Sequence, residues 1–410
     1  MIARLVKISL LIGMMLLCSA CVPTAIETLA PTEVLPTEIA ASSAPPEPVQ
    51  QPGSTPTLTP QPTATLSLEP TATLAPGQTV LDGHAYVLLL DTWQGLRLFD
   101  VDTRQSVIIT DQVDSRYPLS WEWSPDGSRL LYQVPNPDNN PAQYTLYLFN
   151  PETGEQLVLL DTDFLYFHWH PNSRAILLGN TFIDAASGAV LAEFAPEAAG
   201  WMRAAISPDG REFVVTDAYG SQLSRAEIIL DASGQVSEIG PLVPLEAAVI
   251  SALDGRVVMD IQWNPQGGSI ALEMITWDYL EGDVYLWNLE DDSVRILTAN
   301  MWTVPGKSMI ASPLSWSADG TQIAFTRYEG AGGGSFTNPR VFIANVETGV
   351  ITEITGGPFP QGQNAFWAPD MHSLVFFRPS DNVLVTCRPD GSDMYWLGGD
   401  IVAYYGAFRP

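Results

Sequence analysis

From residue 80 onward, apolar residues come in short runs separated by clusters of Pro, Asp, Asn, Gly and Ser. In WEWSPDGSRLLYQ, Trp121 and Trp123 alternate about Glu122, which places both on one side of a strand. Pro125-Asp126-Gly127 then makes a tight turn: proline presets one dihedral and glycine accepts a positive φ. Leu130 to Tyr132 begin the returning strand. A looser hairpin leads to LYLFN, a Glu-Thr-Gly turn and LVLL, giving four antiparallel strands in one unit. No segment of useful length carries the helical period, so the pattern predicts an all-β fold.

The phrase then repeats. WSPDGSRLLY at Trp123 returns as WHPNSRAILL at Trp169, ISPDGREFVV at Ile206, WNPQGGSIAL at Trp263, WSADGTQIAF at Trp316 and WAPDMHSLVF at Trp367. These six ungapped copies are spaced 46, 37, 57, 53 and 51 residues apart, around the period of a propeller blade. Between them runs a second phrase of strand, turn and strand, from LRLFDVDTRQSVII at Leu96 to VLVTCRPDGSDMYWL at Val383, seven times in all. The mismatch of six against seven resolves at the chain ends. Phe408-Arg409-Pro410 fits the front half of the first phrase, and LDGHAYVLLL from Leu81 fits its back half. The expectation is a seven-bladed β-propeller over 79–410, closed by pairing of the C-terminal strand with the N-terminal strands, which leaves no open edge.

The W-S-P-D-G-x-x-[IL]-x-[FY] phrase resembles the WD-like repeat of TolB-type propellers, which also builds the propeller domains of prolyl oligopeptidase-like and tricorn-like peptidases. The resemblance covers Val80 to Pro410 and implies the fold. It implies no activity. TolB-type proteins carry an N-terminal α/β domain where this chain has a low-complexity stretch, and the 410 residues hold no α/β-hydrolase domain of the kind the peptidases use.

The first 78 residues read differently. MIARLVKISLLIGMMLLCSAC has Arg4 and Lys7, an apolar run from Ile8 to Leu17, and Ser19-Ala20 before Cys21. It resembles a lipoprotein signal peptide over 1–21 with Cys21 as the lipidated residue, although Cys18 stands where leucine is usual. A plain secretory signal cut nearby is the alternative. Residues 22–78 contain no Lys, Arg, Asp or aromatic residue and are rich in Pro, Thr and Ala. Such a stretch predicts a disordered tether, roughly 40 Å long as a coil and up to about 170 Å as polyproline II. Location is therefore expected to be extracytoplasmic, with the chain held to a membrane by its N-terminal lipid. With Cys18 removed and Cys21 lipidated, Cys387 is left alone in LVTC, a buried inert thiol rather than a disulfide partner.

Charge narrows the partners. The sequence has 46 acidic and 18 basic residues, a net charge of −28, which repels phosphate backbones and speaks against nucleic acid. Divalent cations fit that charge, yet neither Asp161-Asp163, Asp291-Asp292 nor Asp100-Asp102 has calcium-loop spacing. These aspartates cap strand ends and turns, and Asp126, Asp209, Asp319 and Asp370 belong to the repeat. No cofactor is expected. Gly332-Gly333-Gly334-Ser335 is no nucleophile elbow, because it joins two strands with no helix after it. His168 and His170 flank Trp169 and share a strand face, the geometry of two metal ligands, but no third ligand is near and His170 replaces the turn serine.

Loop length gives the binding expectation. In a four-stranded blade the first and third hairpins reach one face, and the second hairpin and inter-blade link reach the other. The first face has tight turns only, whereas the long pieces all fall on the second. They bring Trp201, Trp277, Tyr279, Trp302, Tyr328 and Phe336, with Lys307 and Arg327 as cations. Aromatics on loops held by a rigid scaffold suit recognition. The expected function is therefore a monomeric binding module for an envelope or extracellular protein, peptide or glycan, with no catalytic or metal residue assigned. A hydrolase or lyase in the central channel and a structural envelope component are the alternatives.

Overall fold

The computed structural model describes residues 81, 86–92, 95–111, 120–136, 144–164, 166–194, 203–217, 220–245, 255–276, 281–299, 301, 308–331, 335–356, 360–381, 383–397 and 403–410. Cys21 and the 1–21 and 22–78 segments lie outside them. All regular structure in the described residues is β, arranged as seven antiparallel sheets.

Blade 1 unites the two ends of the propeller: Ala403–Phe408 is its inner strand, followed outward by Val87–Thr92, Gly95–Asp100 and Ser106–Thr110. Blade 2 comprises Trp121–Trp123, Leu130–Pro135, Tyr144–Phe149 and Gln156–Thr162. Blade 3 comprises Phe167–Trp169, Ala175–Leu178, Thr181–Asp184 and Val190–Glu193. Blade 4 comprises Ala204–Ile206, Glu212–Thr216, Leu223–Leu230 and Val236–Ile239, with Val243–Pro244 added beside Leu223–Leu230. Blade 5 comprises Arg256–Trp263, Ser269–Thr276, Gly282–Asn288 and Val294–Ile296. Blade 6 comprises Ser308–Trp316, Gln322–Ala331, Ser335–Asn345 and Ile351–Glu353. Blade 7 comprises Gln363–Trp367, Leu374–Arg378, Val383–Cys387 and Tyr395–Trp396.

The split seventh copy closes as the phrase predicts. Leu88 faces Phe408, Leu89 faces Ala407 and Leu90 faces Gly406 in antiparallel register. The Arg409 amide then donates to the Val87 carbonyl at 2.8 Å. This pairing satisfies backbone groups that a terminal edge strand would otherwise leave open.

Burial follows the same seven-fold logic. The core is not one mass but a set of apolar layers, each between two neighbouring blades. Leu89, Leu96, Trp123 and Tyr132 pack between blades 1 and 2, and Leu131, Phe167, Trp169 and Ile176 between blades 2 and 3. The last layer, with Leu90, Phe99, Val375, Phe377 and Phe408, joins blade 7 back to blade 1. Fully burying one such side chain stabilises by about 1.5–3 kcal/mol, so each blade is held mainly by its neighbours.

Three of the repeated tryptophans are also inter-blade fasteners. The indole N–H of Trp169 donates to Glu122 O at 3.1 Å, Trp316 to Gln262 O at 3.1 Å and Trp367 to Ser315 O at 3.1 Å. Each ties an inner strand to the inner strand of the preceding blade. The Ser-Pro-Asp-Gly turn has its own internal logic. Ser317 Oγ donates to Asp319 Oδ1 at 2.6 Å while accepting the Gln322 amide at 2.9 Å, and Asp319 accepts the Thr321 amide at 3.0 Å. Ser124-Asp126 and Ser207-Asp209 repeat it.

Candidate functional site

Two places gather chemistry beyond the repeat: the long-loop face and the central channel. On the first, the structure corrects the sequence expectation at blade 6. Arg327 to Ala331 and Ser335 to Arg340, expected on a long loop, are strand residues. The strands Gln322–Ala331 and Ser335–Asn345 stay paired beyond the length of the other blades, with Glu329 opposite Thr337, Gly330 opposite Phe336 and Ala331 opposite Ser335. Ser308 pairs with Glu329 on the other side, so the extension is three-stranded at its base. A bulge between Arg327 and Glu329 and a left-handed Asn338 (φ 51°) mark where the extension leaves the blade.

Tyr328 is therefore no exposed recognition aromatic. Only 7% of its surface is accessible, and its hydroxyl donates to Gln363 Oε1 at 3.0 Å in blade 7. Arg327 lies in the strand between Ile310 and Arg340 rather than on a loop, and Phe336 is a strand residue. The exposed polar side of the extension is stitched together: Thr337 Oγ1 donates to Glu329 O at 3.2 Å, Asn338 to the Glu329 carboxylate at 3.3 Å, and Gln361 to Asn338 at 3.2 Å. Trp201, Trp277, Tyr279, Trp302 and Lys307 lie outside the described residues.

In the channel, neighbouring inner strands present their free edges, and acidic side chains cap them. Glu122 Oε1 accepts the Trp169 amide at 3.3 Å from blade 3. Asp260 Oδ2 accepts the Leu314 amide at 3.0 Å from blade 6, and its Oδ1 accepts from Gln262 at 3.1 Å. The second oxygen of Glu122 faces His168 Nδ1 at 3.5 Å, both side chains being 36% accessible. Burial against the channel wall acts to lower the His168 pKa, but the Glu122 hydrogen bond and charge, helped by Asp260, outweigh it and leave the pKa raised. Arg203 opposes that rise from blade 4. Its guanidinium stacks on the Tyr166 ring of blade 3, 5.0 Å from the centroid. Tyr166 and Arg203 immediately precede inner strands, at the channel end nearest the long-loop face.

The two histidines are thus separated, which corrects the shared face expected for them. His168 belongs to the channel. His170 is 1% accessible, leaves the strand at the turn, and bonds Gly210 O of blade 4 at 2.8 Å. Among the described residues no group of three His, Cys, Asp or Glu side chains is placed to hold a metal ion. Cys387 is fully buried, and that burial, with the Asp390 charge, pushes its thiol up to about 12. Asp100 and Asp291 cap the Thr103 and Ser293 amides as expected; the Thr103 amide holds the Asp100 carboxyl below the usual range, and the Ser293 hydroxyl, followed by its amide, does so for Asp291.

The sequence expectation missed the channel cluster. One signal was available: the residue before the repeated Trp, replaced by Ile206 and Phe408 in two copies, reads Glu122, His168, Ala205, Gln262, Ser315, Phe366 and Ala407 around the seven copies. A fixed architecture with one freely varying column, polar in four of the seven copies, is where a site would show.

No family model and no curated protein matches the chain. Among solved structures, the periplasmic gluconolactonase of Pseudomonas aeruginosa aligns at 15% identity over 79% of this chain and 99% of that one, with a TM-score of 0.53. A putative 6-phosphogluconolactonase of Bacteroides fragilis gives 17%, 81%, 99% and 0.52. The β-propeller domain of the Trilobed protease from Pyrococcus furiosus gives 13%, 74%, 86% and 0.51. TolB from Acinetobacter baumannii aligns at 17% identity and a TM-score of 0.44, covering 79% of this chain and 66% of that one, just under two thirds of its length. At these identities the likeness is one of fold.

Proposed function

We propose that this propeller is an extracytoplasmic recognition module, tethered through a lipid on Cys21, that binds an envelope or extracellular protein, peptide or glycan with its long-loop face. The observation that carries the reading is the blade 6 extension, a paired hairpin that outreaches the other blades and displays Glu329, Thr337 and Asn338. Rigid, polar, protruding structure on a closed scaffold costs little ordering entropy on binding. The test is capture from solubilised cell envelope by the full-length chain and by a variant in which 330–336 is replaced by Asn-Gly. That two-residue turn suits the Glu329–Thr337 register. A partner captured by the first and lost by the equally stable second supports this face. Equal capture by both, or capture by neither, counts against it. Anchoring is tested separately by Cys21→Ala, which is expected to abolish labelling by a palmitate analogue and release the chain from the membrane.

Catalysis of the hydrolase or lyase kind in the channel is a second reading, supported by the Glu122–His168 pair. It predicts turnover of an ester or glycoside panel that His168→Gln abolishes.

A further inference from the structure

One aromatic ring on the long-loop face is given its place by a glycine and still meets water. At the position just after the ten-residue phrase, four blades bury a polar side chain: Gln133, Thr216, Glu273 and Thr326. Blade 3 has Gly179 there, with a left-handed φ of 58°, and the Phe164 ring lies across its α-carbon. Three ring carbons stand 2.5–2.7 Å from where a Cβ would be, so a side chain at 179 would push the ring aside. Phe164 nevertheless keeps 38% of its surface accessible. Its amide is held by Thr162 Oγ1 at 3.1 Å.

The strip continues into blade 4. Tyr166 lies opposite Gly179, whose amide approaches its carbonyl at 3.5 Å, and the Arg203 guanidinium covers the Tyr166 ring, 5.0 Å from the centroid. Among the described residues that guanidinium makes no hydrogen bond or ion pair. The Arg203 backbone is fixed on both sides: its amide donates to Thr216 Oγ1 at 3.0 Å, and its carbonyl accepts the Thr216 amide at 2.9 Å. Phe164, Tyr166 and Arg203 stand on inter-blade links and Gly179 on a second hairpin, so all four belong to the long-loop face.

We propose that this strip binds a neutral glycan, one sugar stacking its C–H face on Phe164 while its hydroxyls accept from Arg203. The inference rests on the reading of the long-loop face as a recognition surface and selects the partner class. A sugar ring joins an apolar face to a rim of hydroxyls, which matches an open aromatic face beside unused N–H donors. A protein partner needs a wider apolar centre than these two rings expose. The carboxylates of Asp161 and Asp163, exposed and next to Phe164 in the chain, join a net charge of −28 in disfavouring uronic or sulfated sugars.

The experiment is calorimetric titration of the purified full-length chain, in a detergent without a sugar headgroup, with cellohexaose, mannohexaose, chitohexaose and the acidic hexagalacturonate. At least one neutral hexasaccharide is expected to bind saturably, with hexagalacturonate silent. Phe164→Ala is expected to weaken that binding about tenfold, and Phe164→Trp, which restores a stacking face, to preserve it. Arg203→Gln should weaken it about tenfold, the range for losing a hydrogen bond from a charged donor. Gly179→Ala keeps both side chains but displaces the ring, so it should lose binding as Phe164→Ala does. If Gly179→Ala melts early, the Phe164 variants, made at an accessible position, carry the same reading. Replacing 330–336 by Asn-Gly should leave sugar binding unchanged, which separates this strip from the blade 6 hairpin. The proposal is overturned if no neutral hexasaccharide saturates, if hexagalacturonate binds more tightly than all three, or if folded Phe164→Ala binds as the wild type does. Capture of an envelope protein without any sugar binding would overturn it too, while leaving the broader recognition reading standing.

Discussion

At the turn of blade 4, Gly210 serves two masters. Its φ of 70° lies in the left-handed region, and the space a Cβ would occupy is already filled by the His170 ring of blade 3, 2.5 Å away. Gly234 has a comparable φ of 78° with nothing within 4 Å. Gly234→Ala therefore isolates the backbone penalty, about 1 kcal/mol. Gly210→Ala adds displacement of a buried inter-blade hydrogen bond and is expected to cost about 2–3 kcal/mol by urea denaturation. Equal losses at the two glycines would mean that the His170 contact contributes nothing. His168 makes the opposite kind of link, open to the channel and titratable. Its pKa is raised in the folded state, so its pairing with Glu122 stabilises fully below the unfolded value near 6.5 and is lost as pH rises through the folded value. The melting temperature should decline from pH 6 towards pH 8, and Glu122→Gln should flatten that decline. Neither residue was legible as such in the sequence. His170 stood out as a serine replacement and as half of a same-face histidine pair, not as an inter-blade link, and the company His168 keeps comes from blades 2, 4 and 5, up to 138 positions apart between Glu122 and Asp260.

At the level of strands, the repeat was readable because the fold demands the same side chains at the same places. Trp, Ser, Asp and Gly recur where an inter-blade apolar layer and, in three copies, an indole bond, a turn hydroxyl, an amide cap and a positive φ are needed. The blade 6 extension was misread for the converse reason. Its Gly-rich sequence lacks the β-branched residues that announce strands, and the pairing of Gly330 and Ala331 follows from register inherited from Gln322 and Asn345 below. What fixes the base is Tyr328, buried and bonded across to Gln363. Tyr328→Phe keeps the packing and removes the hydroxyl donor, so it should destabilise by about 1 kcal/mol. Amide hydrogen exchange should then quicken at Glu329 to Ala331 while Phe325 remains protected. Faster exchange throughout blade 6 would show that the hydroxyl supports the blade and not the extension.

Across the whole ring, stability rests on closure. Every blade except the first is continuous in sequence and could in principle hold its own four strands; blade 1 exists only because residues separated by more than three hundred positions meet. That arrangement was predictable from the split phrase, since a propeller with half a repeat at each end satisfies its hydrogen bonds only by joining them. The Pyrococcus propeller that shares this fold is described as having an open velcro topology, whereas here Ala403–Phe408 occupies the inner place of blade 1. Phe408 reports on the strength of that join. It is 7% accessible and meets Tyr86 edge-on at 5.4 Å and Phe366 at 5.7 Å, one from each blade it unites. Terminal residues usually fray and tolerate change. If closure is as firm as an internal blade contact, Phe408→Ala should cost about 3–5 kcal/mol, the loss expected for truncating a buried aromatic, and match Phe376→Ala in the middle of blade 7. Calorimetry should also show one cooperative transition in the wild type, because unzipping the join removes a neighbour from both blade 2 and blade 7 at once. A loss under about 1 kcal/mol at Phe408, with the Phe376 variant strongly affected, would place the join among fraying ends and make the ring an open one in solution.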